Sequence, residues 1–133
     1  MIGVVIAGHG TWPAAMKHSL DMIYGEVPDL EICQVTDAES AEEIRAKLEE
    51  ALARMPGLRG YVFLLDIFGG SPCHATVPFL LREDVLVVTG TNLAMLVELV
   101  STREQADWEE LGDQLLRAGH EGIRNVTSEM RQN

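Results

Sequence analysis

Short, continuous apolar runs alternate along this chain with longer amphipathic ones, and that alternation leaves few folds open. Gly3-Val4-Val5-Ile6-Ala7 is short, uninterrupted and β-branched, the pattern of a strand covered on both faces. Gly60 to Leu65 repeats it and ends at Asp66. Val85 to Val88 is a third such run, and Leu30 to Val35 a fourth, whose partial alternation suggests a half-covered position. Between them lie helical patterns. Thr11-Trp12-Pro13 opens a helix running to about Tyr24, because proline fits a first turn where its missing N–H costs nothing, and Gly25 stops it. From Ser40 to Met55 the apolar residues Ala41, Ile44, Leu48, Ala51, Leu52 and Met55 fall on one face, and Ser40 with Glu43 has capping-box spacing. Ser71-Pro72 reads as cap and first residue of a helix to about Leu81, kinked or shortened by Pro78. Asn92 caps a helix from Leu93 to about Thr102, and Asp107 with Glu110 opens another with Trp108, Leu111 and Leu115 on one face.

Strand, helix, strand, helix joined by short loops means an α/β fold. The expectation is a doubly wound, mainly parallel sheet of four strands with helices on both faces. Gly122 to Thr127 is a weak last element, readable as a strand. No internal repeat or linker interrupts the pattern, so residues 1–127 read as one domain and 128–133 as a polar tail. An apolar share of 47% supplies the core that 133 residues need.

Charge removes whole classes of function. Ten basic against 21 acidic side chains leave a formal net charge of −11, which argues against binding nucleic acid or anionic membrane. Such a surface is instead steered toward basic protein partners. Two cysteines, Cys33 and Cys73, are too few for a disulfide scaffold and match no metal motif. The first apolar stretch has no basic residue before it, no run is long enough to span a bilayer, and a reducing cytoplasm is the expected compartment.

In a parallel sheet covered on both faces, ligands bind beyond the carboxyl ends of the strands. His9 follows the first strand between two glycines. Asp66 follows the third, leading into Ile67-Phe68-Gly69-Gly70-Ser71-Pro72, and Thr89-Gly90-Thr91-Asn92 follows the fourth. An imidazole, a carboxylate and a glycine-rich turn entering a helix therefore share one edge of the sheet. A neutral imidazole is a nucleophile through the ring nitrogen that lacks a proton, and a carboxylate on the other nitrogen fixes that tautomer. Backbone N–H groups around Gly70 and Ser71 suit a phosphate. Phosphoryl transfer needs mainly positioning and charge stabilisation, and with no Walker lysine motif a nucleotide-driven kinase is not indicated.

These blocks carry a resemblance. Ile6-Ala7-Gly8-His9-Gly10, Asp66-Ile67-Phe68-Gly69-Gly70-Ser71-Pro72 and Gly90-Thr91-Asn92-Leu93-Ala94-Met95-Leu96 resemble, in order and spacing from Met1 to about Val126, the mannose-type IIA domain of the bacterial sugar phosphotransferase system. The resemblance implies a phosphohistidine carrier that takes a phosphoryl group from phospho-HPr and hands it to a IIB component for sugar uptake, with no cofactor or metal. It implies phosphorylation of His9 at Nε2, Asp66 holding Nδ1–H, and Gly70 and Ser71 receiving the phosphoryl oxygens. It also implies a cytoplasmic homodimer formed by exchange of a fifth, antiparallel C-terminal strand, here Gly122 to Thr127, that associates with membrane permease subunits without inserting. Because the chain ends where fused relatives begin a linker, a IIB acceptor on another chain is expected. Three departures stand out: Gly8 replaces a small hydroxyl residue, Ala94 replaces proline, and His74 replaces asparagine in what reads as the first turn of a helix, where it could reach the phosphoryl site as an accessory group and where the N-terminal dipole disfavours a cation.

Two other readings follow from the same residues. The domain could be a regulatory phospho-sensor, its binding set by the charge state of His9. His9, Asp66 and His74 are also a plausible zinc set. Trp12 and Phe68 flank the site as either docking anchors or core residues, Cys73 reads as packing, and His18 and His120 as solvated.

Overall fold

A computed structural model gives the structure of residues 1–132. Its four strands, β1 (Ile2–His9), β2 (Leu30–Val35), β3 (Gly60–Leu65) and β4 (Val85–Val88), form one sheet in the order β2-β1-β3-β4. All three pairings are parallel, with Val4 opposite both Leu30 and Val62, and Val62 opposite Leu86. Six helices join them: α1 (Trp12–Tyr24), α2 (Ala41–Ala53), α3 (Gly70–Ala75), α4 (Leu93–Thr102), α5 (Trp108–Glu121) and α6 (Val126–Arg131), with a 3-10 turn at Val77–Leu81.

The period-two alternation of strand side chains divides the core into two halves. Ile2, Val4 and Ile6 of β1 pack with Val62, Leu64 and Leu30 under α1, α4 and α5, through Leu20, Leu96, Leu99, Leu111 and Leu115. Val5 and Ala7 face the other way, packing with Phe63, Leu65, Cys33 and Val35 under α2 and α3, through Ile44, Leu48, Ala51 and Ala75. This is the doubly wound arrangement expected from sequence.

Local chemistry fixes several ends as expected. The Ser40 hydroxyl accepts from Glu43 N–H at 3.2 Å, while the Glu43 carboxylate accepts from Ser40 N–H at 3.3 Å. Asn92 and Asp107 cap α4 and α5 by accepting from Met95 and Glu109 N–H, each at 3.0 Å.

Three expectations are corrected. Ser71 is not a cap: α3 begins two residues earlier than expected, at Gly70 after Gly69, and both Gly69 and Gly70 adopt left-handed backbone at φ 79° and 76°. Nor does this helix run on to Leu81. Pro78 has no N–H to continue the ladder, so α3 ends at Ala75 and a 3-10 turn follows. Gly122 to Thr127 is not a strand. Gly122 ends α5, and Asn125 accepts from Ser128 N–H at 3.0 Å to start α6, which crosses the expected domain–tail boundary. Ile123, Val126 and Met130 recur at spacings of three and four, a helical period rather than an alternating one. Asn133, the last residue of the expected tail, lies outside the described residues. Among the described residues no helix is long and apolar enough to cross a membrane.

A buried cation clamps the end of the sheet away from the strand termini that carry His9 and Asp66. Arg103, 3% exposed, donates to the carbonyls of Ile2 and Asp29, each at 3.3 Å, and of Pro28 at 2.6 Å. Arg103→Ala leaves those carbonyls without their charged donor, and we expect a loss of about 3 kcal/mol, read from urea unfolding.

Candidate functional site

The chain leaves β1 toward β2 on one side, then crosses back to β3 on the other, so the winding reverses between β1 and β3. Crevices at the carboxyl side of such a reversal are where open α/β sheets bind ligands. His9 is the last residue of β1, and Asp66 directly follows β3. Parallel pairing of Ala7 with Leu65 brings them side by side although 57 positions separate them in the chain.

One carboxylate oxygen joins the two. Asp66 Oδ2 accepts from the backbone N–H of His9 at 2.8 Å and lies 2.7 Å from His9 Nδ1, while Oδ1 accepts from Ile67 N–H at 2.8 Å. Burial pushes the Asp66 carboxyl up, but the hydrogen bonds from His9 N–H, the His9 ring and Ile67 N–H outweigh it and hold the group below the ordinary aspartate range. An ionised carboxylate at Nδ1 assigns the ring proton to Nδ1, which leaves the Nε2 lone pair free. Exposure follows the same division: the His9 side chain is 51% exposed and that of Asp66 14%.

Gly70 lies against the free edge of the ring. A methyl built on it would sit 3.5 Å from His9 Cε1 and 3.9 Å from Nε2. Its left-handed backbone and missing side chain keep open the space that a group on Nε2 would occupy. Ser71 follows, exposed in the first turn of α3, where no side chain caps the backbone donors. His9, Asp66, Gly70 and Ser71 thus stand on one edge of the sheet.

The remaining sequence-derived residues separate. His74 is exposed, and because α3 begins early it stands in the last turn of that helix rather than the first. The expectation that an N-terminal dipole acts on it is therefore corrected. Among the described residues no three His, Cys, Asp or Glu side chains are grouped to hold a metal ion, so the zinc set of His9, Asp66 and His74 gains no support. Phe68 is 86% exposed beside half-exposed Ile67, whereas Trp12 packs on the sheet core. His18 and His120 are exposed. Cys33 is buried, which pushes its thiol up to about 11, and Cys73 is half-buried against the α2 side of the core.

Sequence reasoning missed how much depends on Gly8. A methyl there would lie 2.8 Å from Asp66 Cγ and 2.7 Å from Trp12 Cε3, so the residue does more than omit a hydroxyl. Only the β1–β3 register exposes this, since nothing local in the chain marks it. The same holds for the second bond to Asp66 Oδ2, from the backbone of His9.

The family model described as the fructose IIA component of the phosphotransferase system matches residues 3–116. The fructose-specific EIIA component of Bacillus subtilis (strain 168) is 36% identical over 112 residues, which are 84% of this chain and 77% of that protein. The mannose-specific EIIAB component of Escherichia coli (strain K12) is 30% identical over 125 residues, 92% of this chain but 39% of that longer protein. The crystal structure of a phosphotransferase system EIIA component from Streptococcus agalactiae superposes with a TM-score of 0.86 at 26% identity, covering 96% of this chain and 99% of that one. On the strength of the matched family model and these relatives, the chain belongs to the mannose/fructose/sorbose-type EIIA family of the phosphotransferase system.

Proposed function

We propose that this protein is a cytoplasmic phosphohistidine carrier, accepting a phosphoryl group from phospho-HPr on His9 Nε2 and passing it to a IIB component for sugar uptake. The observation that carries the reading is the double contact of Asp66 Oδ2 with His9, at 2.8 Å to its backbone and 2.7 Å to its Nδ1. In the forward step the Nε2 lone pair attacks phosphorus in line as the phosphorus–nitrogen bond to the donor imidazole breaks. No proton has to leave His9, because the attacking nitrogen carries none. The ring becomes cationic, and Asp66 stabilises that charge through Nδ1–H. The phosphoryl oxygens meet the N–H groups of Gly70 and Ser71 and the Ser71 hydroxyl. Pro72 next in line has no N–H, so donation is concentrated on these two residues. Handing the group to IIB is the same step in reverse, with a nucleophile of IIB as acceptor and the Nε2–phosphorus bond breaking.

A second copy of the chain belongs to the proposal. The outer edge of β4 has no strand partner among the described residues. An apolar groove of about 440 Å³ runs beside it, with Leu86 and Val87 in its floor and exposed Val77, Leu80 and Leu116 at its rim. Uncovered apolar surface of this kind favours association. Sedimentation is expected to give a dimer, and Leu80→Glu with Leu116→Glu a monomer. A monomeric wild type at every concentration would overturn the homodimer.

Incubation with phosphoenolpyruvate, enzyme I and HPr is expected to add one phosphoryl group by intact mass, acid-labile and base-stable. His9→Ala should add none, and Asp66→Ala should fold normally but react about tenfold to a hundredfold more slowly. No gain in the wild type, or an equal gain in His9→Ala, overturns the carrier reading.

Linkage gives Asp66 a pH signature. Its carboxyl lies lower in the folded than in the unfolded chain, so its contribution to stability is full above the unfolded value. That contribution is lost as pH falls through the lower folded value. Denaturant unfolding across the acid range should therefore show wild type more stable than Asp66→Asn near neutrality, with the two converging in acid.

A further inference from the structure

We infer that Trp12 is a positioning residue for His9, acting through Asp66, an assignment that rests on the carrier reading and deepens it. The observation is a coincidence of two groups at one bare backbone position. Gly8 is buried in β1, and a single methyl built on it would meet Trp12 Cε3 at 2.7 Å and Asp66 Cγ and Oδ2 at 2.8 Å. The indole and the carboxylate therefore close on the same glycine, where no side chain separates them.

The chain holds Trp12 there from both sides. Gly10, at φ 61°, turns the backbone directly after His9, and Trp12 opens α1 with buried Pro13 fixing the next φ. The ring then folds back over β1 and packs against the core beneath α1 and α4. Its flank toward Gly8 becomes an apolar wall beside the carboxylate.

That wall accounts for an asymmetry within the pair. His9 and Asp66 share a hydrogen bond at the rim of the sheet, yet the imidazole is open and the carboxylate largely covered. Oδ2 holds two bonds to one residue, and water competing for it would loosen both. Keeping water away strengthens them, since a hydrogen bond gains strength where the local dielectric is low. The role assigned to Trp12 needs no contact with Nε2. Its effect reaches His9 only by confining Asp66. The exposed aromatic of the site is Phe68, which is free to meet a partner.

The test compares Trp12→Ala and Trp12→Phe with the wild type in the full chain. Nitrogen-resolved NMR reads the His9 Nδ1 proton, its tautomer and its exchange with water, and initial rates with phospho-HPr give kcat and KM. In Trp12→Ala the Nδ1 proton should exchange about tenfold faster and kcat fall by about tenfold, with KM for phospho-HPr unchanged. Trp12→Phe, which keeps a flat ring, should stay close to wild type in both. If Trp12→Ala fails to fold, Trp12→Leu carries the same comparison. Wild-type proton exchange in the alanine or leucine variant overturns the assignment, and a raised KM with unchanged exchange makes Trp12 a docking anchor instead. The proton measurement needs no phosphoryl donor. A wild-type chain that accepts no phosphoryl group therefore defeats the carrier reading and leaves this test standing.

Discussion

A single oxygen, Asp66 Oδ2, takes both the backbone N–H and the ring nitrogen of His9, and this bridge sits where the winding of the sheet reverses. Much of the fold serves to make it. Two neighbouring strands must run parallel and end level, so that residues far apart in the chain finish side by side. In this chain β1 carries no side chain just before its histidine, and the carboxylate and the Trp12 ring close in on the space a Cβ would take. The backbone contact adds something a ring contact alone could not. It ties the carboxylate to the strand itself, so the imidazole is oriented against a fixed reference rather than against another mobile side chain.

The parts of this arrangement that were legible in the sequence are those set by local pattern. The β-branched runs located the strands, the helical spacing of Ile44, Leu48 and Leu52 located α2, and Ser40 with Glu43 marked its start. Once the strands were in place, the rule that ligands sit at their carboxyl ends was enough to bring His9, Asp66, Gly70 and Ser71 together. What was illegible depends on tertiary register or on glycine conformation. Ser71-Pro72 looks like a cap and first turn, but two consecutive left-handed glycines let the helix begin before it, which moves His74 from its first turn to its last. At the C-terminal end, Gly122 to Thr127 has strand-forming residues, yet Asn125 supplies a cap and the spacing of Val126 and Met130 completes a helical face. Local capping decided that segment, and β-propensity did not.

Trp12 and Phe68 illustrate the same limit at the scale of single side chains. Both are aromatic, both flank the site in sequence, and periodicity assigns neither a side. The turn at Gly10 folds one back over the sheet, and the loop after Asp66 leaves the other in solvent. The outcome is a division of labour: one aromatic dries the carboxylate and the other is left for contact between proteins. Aromatic residues in well-packed, desolvated positions are the kind that anchor interfaces. Phe68, uncovered beside the open histidine, can become one only when a partner covers it.

The acidity of the chain raises an opposing demand, since a phosphoryl dianion must approach a protein of net charge −11. Distance and pairing separate the two effects. Exposed charges act on one another over about 8 Å at physiological ionic strength, so a basic partner feels the whole face while a bound phosphoryl group feels only its near neighbours. On the edge that holds His9, Glu39 lies 2.5 Å from Lys47 and also accepts from Thr36 N–H, and these hydrogen bonds hold its carboxyl below the ordinary range. Glu31, on the neighbouring strand, pairs with Arg54. Asp66 is turned inward to Nδ1, on the far side of the ring from Nε2. What faces the transferred group is the bare backbone of Gly70 and the unclaimed donors of the first turn of α3. On the proposed carrier reading, the chain is acidic enough to draw in a basic donor, while the anion meets uncapped backbone N–H groups rather than a carboxylate.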